Sequence, residues 1–575
     1  MNKFFRSTYA GALLIVTLIF FTILQAESNT EKSSATTELR IATAQEFDTL
    51  NKMMSTMIMS VHIGGFTNRA LARPDHSMTW QTQLAEKIPS IENKLAKFVT
   101  LNGKKKIVAT WTIKENAKWG DGIPVTCRDF QFTLEVANNP LVPVSNKRAY
   151  DIVEKIEFDP KKPKVCSFIF AESTWDFFKL GEFVPLPAHI EGPVYEKYKN
   201  EKEGYSKNTV YSKSITTPGL YNGPYLITDY KPGNYLIFEP NPYFYGSPAK
   251  IKRIVLRIIQ NTGTIEANLR TQDVNMSLLG MTLDQLQDFE PFIKKENLPL
   301  KLDFYTAYNY EHLVLDLENE FLKDINIRKA LIHGTNRDQI NKSFFAGKQT
   351  PAIHYVPQID PWAATKKQVP TYDYSLKKAN SYLDKAGWKM GADGVREKNG
   401  KKLVFNFMTT AGNKVRENIQ VYLKEEWKKI GVDVQIKNEP PRTFFGETVK
   451  KRAYNGILLM AVVTQPENSL AKHLHSSNIP TSSNSYVGAN WGAWKNPQAD
   501  QLLDKIDQEF NAKKRIELAH QLQKMYMEDI VAIPLYFRTE GSLIPSNMTG
   551  YIPTGHFYSE TNSAENWTLE PREMK

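Results

Sequence analysis

Strand-like and helix-like hydrophobic periods alternate along nearly the whole chain, and no low-complexity linker interrupts them. That alternation constrains the fold more than any other feature. Leu39–Thr43 alternates apolar and polar residues, as a half-buried strand does. Phe98-Val99 and Ile107–Ile113 flank Asn102-Gly103, a dipeptide that supplies the positive φ of a tight hairpin turn. Thr126 is placed to cap a helix carrying Phe130, Phe132, Leu134 and Val136, which ends before Pro140. Tyr225–Tyr230 and Tyr235–Glu239 form a second predicted hairpin, with Ile251–Ile259 a buried strand. Past Leu302 the spacing predicts helices over Ile327–Ile332, Tyr374–Ala386, Val415–Ile430, Asp500–Glu509 and Lys513–Glu528. Leu403–Met408, Val432–Ile436 and Ile533–Phe537 are predicted strands between them, and Ile457–Val463, apolar throughout, suits a strand covered on both faces. The class is mixed α/β and α+β in two large blocks, an organisation that places ligands between domains.

The N-terminus predicts export. Lys3 and Arg6 precede an apolar run of 15 residues, Ala10–Leu24, and Ala26 offers a small residue at a cleavage point before the polar stretch Glu27–Thr37. The run is shorter than the ~20 residues that span a bilayer comfortably. Residues 1–26 are therefore expected to be a signal peptide, with an uncleaved anchor as the alternative because Leu24 occupies the −3 position. No cysteine lies near the cleavage point, so the expectation is a periplasmic protein rather than a lipoprotein. Without that leader, 71 basic and 62 acidic side chains leave a net charge of +9, a mild excess with no basic stripe of the kind that binds nucleic acid. Mean hydropathy is −0.43, consistent with a water-exposed body.

Cys127 and Cys166 are the two cysteines, and in an oxidising compartment they are expected to bridge, with two buried thiols as the alternative. They complete no tetrahedral metal set, and His473-x-His475 has no third ligand nearby, so neither a metal nor a cofactor is expected. Ala392-Asp393-Gly394 lacks the alternating acids of a calcium loop. No G-x-S-x-G elbow, H-E-x-x-H, P-loop or C-x-x-C occurs, which argues against an enzyme; a secreted hydrolase is the minor alternative.

Several segments together resemble the extracellular solute-binding proteins of family 5, the dipeptide- and oligopeptide-binding type. Trp119-Gly120-Asp121-Gly122-Ile123-Pro124-Val125-Thr126 matches the family's W-x-D-G-x-P-V-T turn into a helix. Gly223-Pro224-Tyr225, Pro232-Gly233 and Asn241-Pro242-Tyr243-Phe244 resemble its hairpin region; Ile327-Arg328-Lys329-Ala330-Leu331 with Arg337-Asp338 resembles its helix pair. Ala386-Gly387-Trp388, Lys429–Val434, Asn496-Pro497 and Ile533-Pro534-Leu535-Tyr536 follow in family order, so the likeness runs from about Leu39 to Phe537.

The resemblance implies a two-lobed periplasmic binding protein fold, type II-like, with an extra subdomain on the first lobe. The implied division is 27–75, 205–303 and 542–575 for lobe I, 76–204 for the subdomain and 304–541 for lobe II. It also implies a monomeric capture component of an ABC importer, delivering peptides or similar oligomeric solutes to an inner-membrane permease. A periplasmic binder or sensor of a non-peptide solute, a sugar or metal chelate, is the alternative. In peptide-binding relatives an Asp after the buried strand of lobe II pairs with the ligand's α-amino group; here Thr464-Gln465-Pro466-Glu467-Asn468 stands there, leaving Glu467 to supply charge and Thr464 and Gln465 hydrogen bonds. Tyr486, Asn490, Trp491 and Trp494 offer aromatic faces and an amide, either for an extended ligand or to pack their own loop. Gln45 and Glu46 follow the first strand, where open α/β folds carry ligand loops. Tyr308 and Asn309 complete the candidate set.

Overall fold

A computed structural model describes residues 38–571, apart from 56, 146, 441–442, 464–470, 485 and 487. The predicted leader, 1–26, and the site candidates Thr464, Gln465 and Glu467 lie outside the described residues.

The framework of the first half is β1 (Glu38–Thr43), paired in parallel with β8 (Arg253–Ile258) and with the short β9 (Met276–Ser277). The hairpin of β6 (Tyr225–Lys231) and β7 (Tyr235–Pro240) extends this sheet beside β8. In the second half β11 (Val404–Met408) lies in parallel between β12 (Asp433–Ile436) and β13 (Gly456–Val463). Two long strands join the halves: β10 (Leu300–Leu315) and β14 (Ala532–Pro545), antiparallel to each other. Among the described residues this gives one eleven-stranded sheet, ordered β12-β11-β13-β10-β14-β9-β1-β8-β7-β6, with Thr350-Pro351 attached to β14. Placing β13 between β11 and β10 accounts for its apolar sequence, since both faces of its first five residues are buried.

A separate antiparallel sheet is formed by β2 (Ala96–Leu101), β3 (Lys104–Thr112), β4 (Val153–Phe158) and β5 (Val165–Phe170), in the order β2-β3-β5-β4. Asn102 and Gly103 turn its first hairpin at φ of 52° and 74°. Helix α2 (Cys127–Asn138) covers this sheet; Thr126 and Asp129 form its capping box, and Asp129 Oδ2 accepts from the Thr126 N–H at 2.8 Å. A disulfide joins Cys127 at the start of α2 to Cys166 of β5, with the α-carbons 5.5 Å apart.

Local chemistry adjusts several boundaries. Helix α4 (Leu376–Lys385) begins at Leu376, not Tyr374, because the Ser375 side chain caps it; α3 spans Ile325–His333. Helix α5 (Lys414–Lys428) starts at its cap, Asn413. Helix α6 (Pro497–Gln508) starts three residues early because Asn496 accepts from the Gln498 and Ala499 N–H groups and Pro497 suits the first turn. Helix α7 spans Ala512–Glu528, and the strand expected at Ile533–Phe537 continues to Pro545. Helix α1 (Ile58–Thr67) is not apparent in the sequence, because Gly64 and Gly65 depress its helix propensity. Both glycines admit close packing: a Cβ at Gly64 would stand 2.2 Å from Lys52 Cε, and one at Gly65 would stand 2.0 Å from Thr561 Oγ1.

Two large apolar clusters divide the molecule. One includes Leu39, Trp111, Phe130, Phe168, Tyr225, Leu256 and Trp567; the other includes Leu313, Ile327, Phe405, Trp427, Leu459, Leu522 and Ile533. No helix among the described residues is long and apolar enough to cross a membrane.

Candidate functional site

The paired strands β10 and β14 lose register where they pass from one apolar cluster to the other. Leu300–Thr306 pair with Pro545–Thr539, and Tyr310–Val314 with Phe537–Ala532, with the main irregularity between Thr306 and Tyr310 and a second between Glu311 and His312. Inside it, the Tyr308 N–H donates to the Gly555 carbonyl at 2.6 Å, while Asn309 faces Val463 at the end of β13. The Asn309 side-chain amide donates to Glu540 Oε1 at 2.6 Å.

Charged groups of both signs gather at this break. Glu311 of β10 accepts from Arg416 Nη2 at 2.9 Å and from Arg538 Nη2 at 2.5 Å. Arg416 stands in the first turn of α5, held there by the Asn413 cap, and it also donates to Thr410 Oγ1 at 3.3 Å. The Glu311 and Arg416 side chains are 2% and 7% exposed, whereas Arg538 is 39% exposed. Two guanidiniums about one carboxylate leave a surplus positive charge, and only Arg538 presents it to solvent. Burial acts to raise the Glu311 carboxyl, but Arg538 and Arg416 outweigh burial and hold it below its ordinary value.

Glu540, two residues along β14, is half-buried and has its carboxyl raised chiefly by burial, with the nearby Glu560 adding to the effect. Tyr305, its register partner on β10, hydrogen-bonds to it. Glu560 is buried at the start of a short 3-10 turn, and burial pushes its carboxyl up to about 7. His62 of α1 approaches Glu560 with Nδ1 at 3.7 Å from Oε1 and shares a 2.6 Å hydrogen bond with Ser559 Oγ. Burial, then Lys52, lower that imidazole to about 3, so His62 is neutral at pH 7. The site thus holds a partly exposed guanidinium near the half-buried Glu540 carboxyl, while Glu560 is buried against His62 and Ser559.

The described sequence candidates take different places. Gln45 and Glu46 are exposed just past the carboxyl end of β1, where Glu46 accepts from the Gln260 amide at 3.0 Å, joining the loops after the parallel strands β1 and β8. Asn309 belongs to the charged break. Tyr308 does not point to solvent: it is buried, edge-on to His556, with its hydroxyl against Met78. The Asn490 amide is taken up internally, donating to the Leu474 and Trp494 carbonyls at 3.0 and 2.9 Å and accepting from the Trp494 N–H at 2.9 Å. Trp494 is buried edge-on to Tyr526, and its indole donates to Asp529 at 2.8 Å. Trp491 packs beside Met408, Phe444 and Met460, while its carbonyl accepts from Arg452 and Tyr454. Tyr486 is half-buried with φ 58°. Asn490 and Trp494 therefore pack their own loop, which a Gly- and Ser-rich sequence cannot distinguish from a ligand surface.

Sequence reasoning missed Glu311, Arg416, Arg538, Glu540 and Glu560. A signal for two of the site's charges was present: Glu311 and Arg538 interrupt or end apolar strand runs, where an ionised side chain is costly without a partner. Among the described residues no group of three or more His, Cys, Asp or Glu is arranged to hold a metal; His475 Nε2 stands 3.9 Å from both Asp500 and Asp504.

Two halves that share the strands β10 and β14, with a charged break between them, define a two-lobed binding protein rather than a single closed domain. The family model for bacterial extracellular solute-binding proteins, family 5 Middle, matches residues 90–481. The chain belongs to that family. It is 26% identical to the oligopeptide-binding protein AppA of Bacillus subtilis (strain 168), over 98% of this chain and 99% of that protein. The oligopeptide-binding protein of Thermus thermophilus, solved with a pentapeptide, has a TM-score of 0.73 and 24% identity, covering 93% of this chain and 96% of its own. NikZ of Campylobacter jejuni, solved with Ni(L-His), has a TM-score of 0.71 and 21% identity, covering 93% and 99%. The same fold thus accompanies two ligand chemistries, and backbone likeness alone does not choose between them.

Proposed function

We propose that this chain captures peptides or similar oligomeric solutes between two lobes and delivers them to an ABC permease in the inner membrane. Lobe I comprises 27–75, 205–303 and 542–575, with 76–204 as its added subdomain, and 304–541 is lobe II; the crossings fall inside β10 and β14. The observation that carries the reading is the charged break, where the partly exposed Arg538 stands near the half-buried Glu540. A zwitterionic ligand satisfies both signs at once, its carboxylate at Arg538 and its ammonium at Glu540. Gln45, Glu46, Asn309, Tyr486 and Trp491 add neutral, acidic and aromatic contacts around it, and Thr464, Gln465 and Glu467 are proposed as ligand-binding from their sequence position alone. The protein binds and releases without covalent chemistry, as a monomer free in the periplasm after loss of residues 1–26.

Native mass spectrometry of the purified mature chain tests this. Co-purified peptide masses displaced by competing oligopeptides are expected; a sugar or lipid held in their place would overturn the peptide assignment. A metal chelate is the second reading, favoured by Thr464–Asn468, which lacks the amine-binding Asp, and by the fold shared with NikZ. A nickel–histidine adduct in the same spectra would select it.

A further inference from the structure

The segment between β5 and the helix Ala188–Tyr198 faces two ways. Phe177 and Leu180 pack into the apolar cluster of their own half, but Trp175 is buried in the other cluster, among residues of 310–537. The Trp175 N–H donates to the Asp507 carbonyl at 2.9 Å. Its indole lies 5.1 Å from the Trp362 ring, and the Arg515 guanidinium stands 3.7 Å from the indole centroid. Lys179, from the same segment as Trp175, places Nζ 4.0 Å from that centroid. A second bridge reaches the same α6–α7 junction: Phe98 of β2 meets Phe510 edge-on at 5.1 Å.

We infer that Trp175 and Phe98 form a latch, a direct attachment of the subdomain to lobe II in addition to the strands β10 and β14 that join the two lobes. The inference rests on the lobe assignment proposed above. Rotation about β10 and β14 that opens the cleft must withdraw Trp175 from Trp362 and Arg515, and must part Phe98 from Phe510. The tilted Trp175–Trp362 contact, the edge-on Phe98–Phe510 contact and a partly desolvated cation–π contact all favour the closed arrangement, and none requires ligand. The latch therefore sets how often the cleft opens, and with it the rate of solute release.

Small-angle X-ray scattering on the ligand-free mature chain tests the latch without reference to the solute, so a failure of the peptide assignment leaves this experiment standing. Trp175→Ala is expected to increase the open population about tenfold or more, read as a larger radius of gyration, with Trp175→Phe intermediate. Phe98 is 37% exposed, so Phe98→Ala provides a variant whose folding is not at stake, and it should shift the radius in the same direction. Circular dichroism checks that each variant is folded. Radii equal to wild type in folded Trp175→Ala and Phe98→Ala would overturn the inference, as would a wild-type chain already as open as the variants.

Discussion

Glu311→Gln removes the one negative charge between two guanidiniums while keeping the side chain's size. In the wild type the carboxylate accepts from Arg416 Nε and Nη2 at 3.3 and 2.9 Å and from Arg538 Nε and Nη2 at 3.0 and 2.5 Å. Glutamine can accept through its oxygen but turns an amide N–H₂ toward the other donors. Arg538 can recover hydration because it is 39% exposed; Arg416 cannot, at 7%. Leaving one buried guanidinium unpaired costs about 3–5 kcal/mol. With a urea slope of about 3 kcal/mol/M for a lobe of this size, the unfolding midpoint falls by about 1–1.7 M at pH 7. The deficit must also depend on pH. The folded Glu311 carboxyl lies below its ordinary 4.5, so its contribution is present above that value and is lost as pH falls below it. Wild type and variant should therefore converge in acid. In Glu311→Leu with Arg416→Met both buried charges are gone, and most of the loss should be recovered. Urea titrations at pH 7 and pH 3.5, followed by tryptophan fluorescence, provide the assay. A variant midpoint within about 0.3 M of wild type at pH 7, or a deficit of equal size at both pH values, would refute the reasoning.

At Glu560 the sign is opposite. Its folded carboxyl is raised to about 7, so the associated stability is full below 4.5 and is lost as pH rises through 7, about 3 kcal/mol in all. Glu560→Gln should flatten the melting temperature between those pH values and melt above wild type at pH 8; a wild-type pH profile in the variant would sink the assignment. The Cys127–Cys166 bridge closes a loop across 39 residues, and replacing both cysteines by serine should cost roughly 4 kcal/mol of subdomain stability. Thermal unfolding that does not change on reduction of the wild type would contradict this. Asn490→Ala strands the Leu474 and Trp494 contacts and should lower stability by about 1–3 kcal/mol. Gln45→Ala, at an exposed position, should alter solute affinity with no change in melting, and the reverse pattern in calorimetry and binding assays would exchange their roles.

Elements whose period or turn chemistry is local were legible in the sequence. Asn102-Gly103 marks its hairpin because few other dipeptides take two successive positive φ angles, and Thr126 with Asp129 marks the start of α2 because the capping box lies within four residues. Boundaries moved where a cap overrode the apolar period, as at Ser375 and Asn496. Helix α1 stayed hidden because its two glycines are explained only by Lys52 and Thr561, which arrive from outside it. The site was the least legible part. Its charges come from positions 311, 416, 538, 540 and 560, and no spacing rule connects them before the strands are paired. Conversely, Trp494 and Asn490 looked available in the sequence because nothing local shows that Asp529 and the Leu474 carbonyl receive their hydrogen bonds.

The position of the charges bears on how a solute would couple to lobe closure. The ladder between β10 and β14 is continuous from Leu300 to Thr306 and resumes at Tyr310, so bending between those points breaks the fewest backbone hydrogen bonds. Tyr308 and Asn309 of β10 and Arg538 of β14 lie inside the break, and Glu311 and Glu540 flank it. Glu560 approaches from the residues beyond β14 that pack on α1. A charged solute that touches only one lobe gains the same free energy in any lobe orientation and moves no equilibrium. A solute that meets Arg538 and Glu540 on one side and, on the other, an exposed group of 27–75 such as Glu46 gains fully only when both sides face it together. That differential contact, rather than total affinity, is what a closing protein needs.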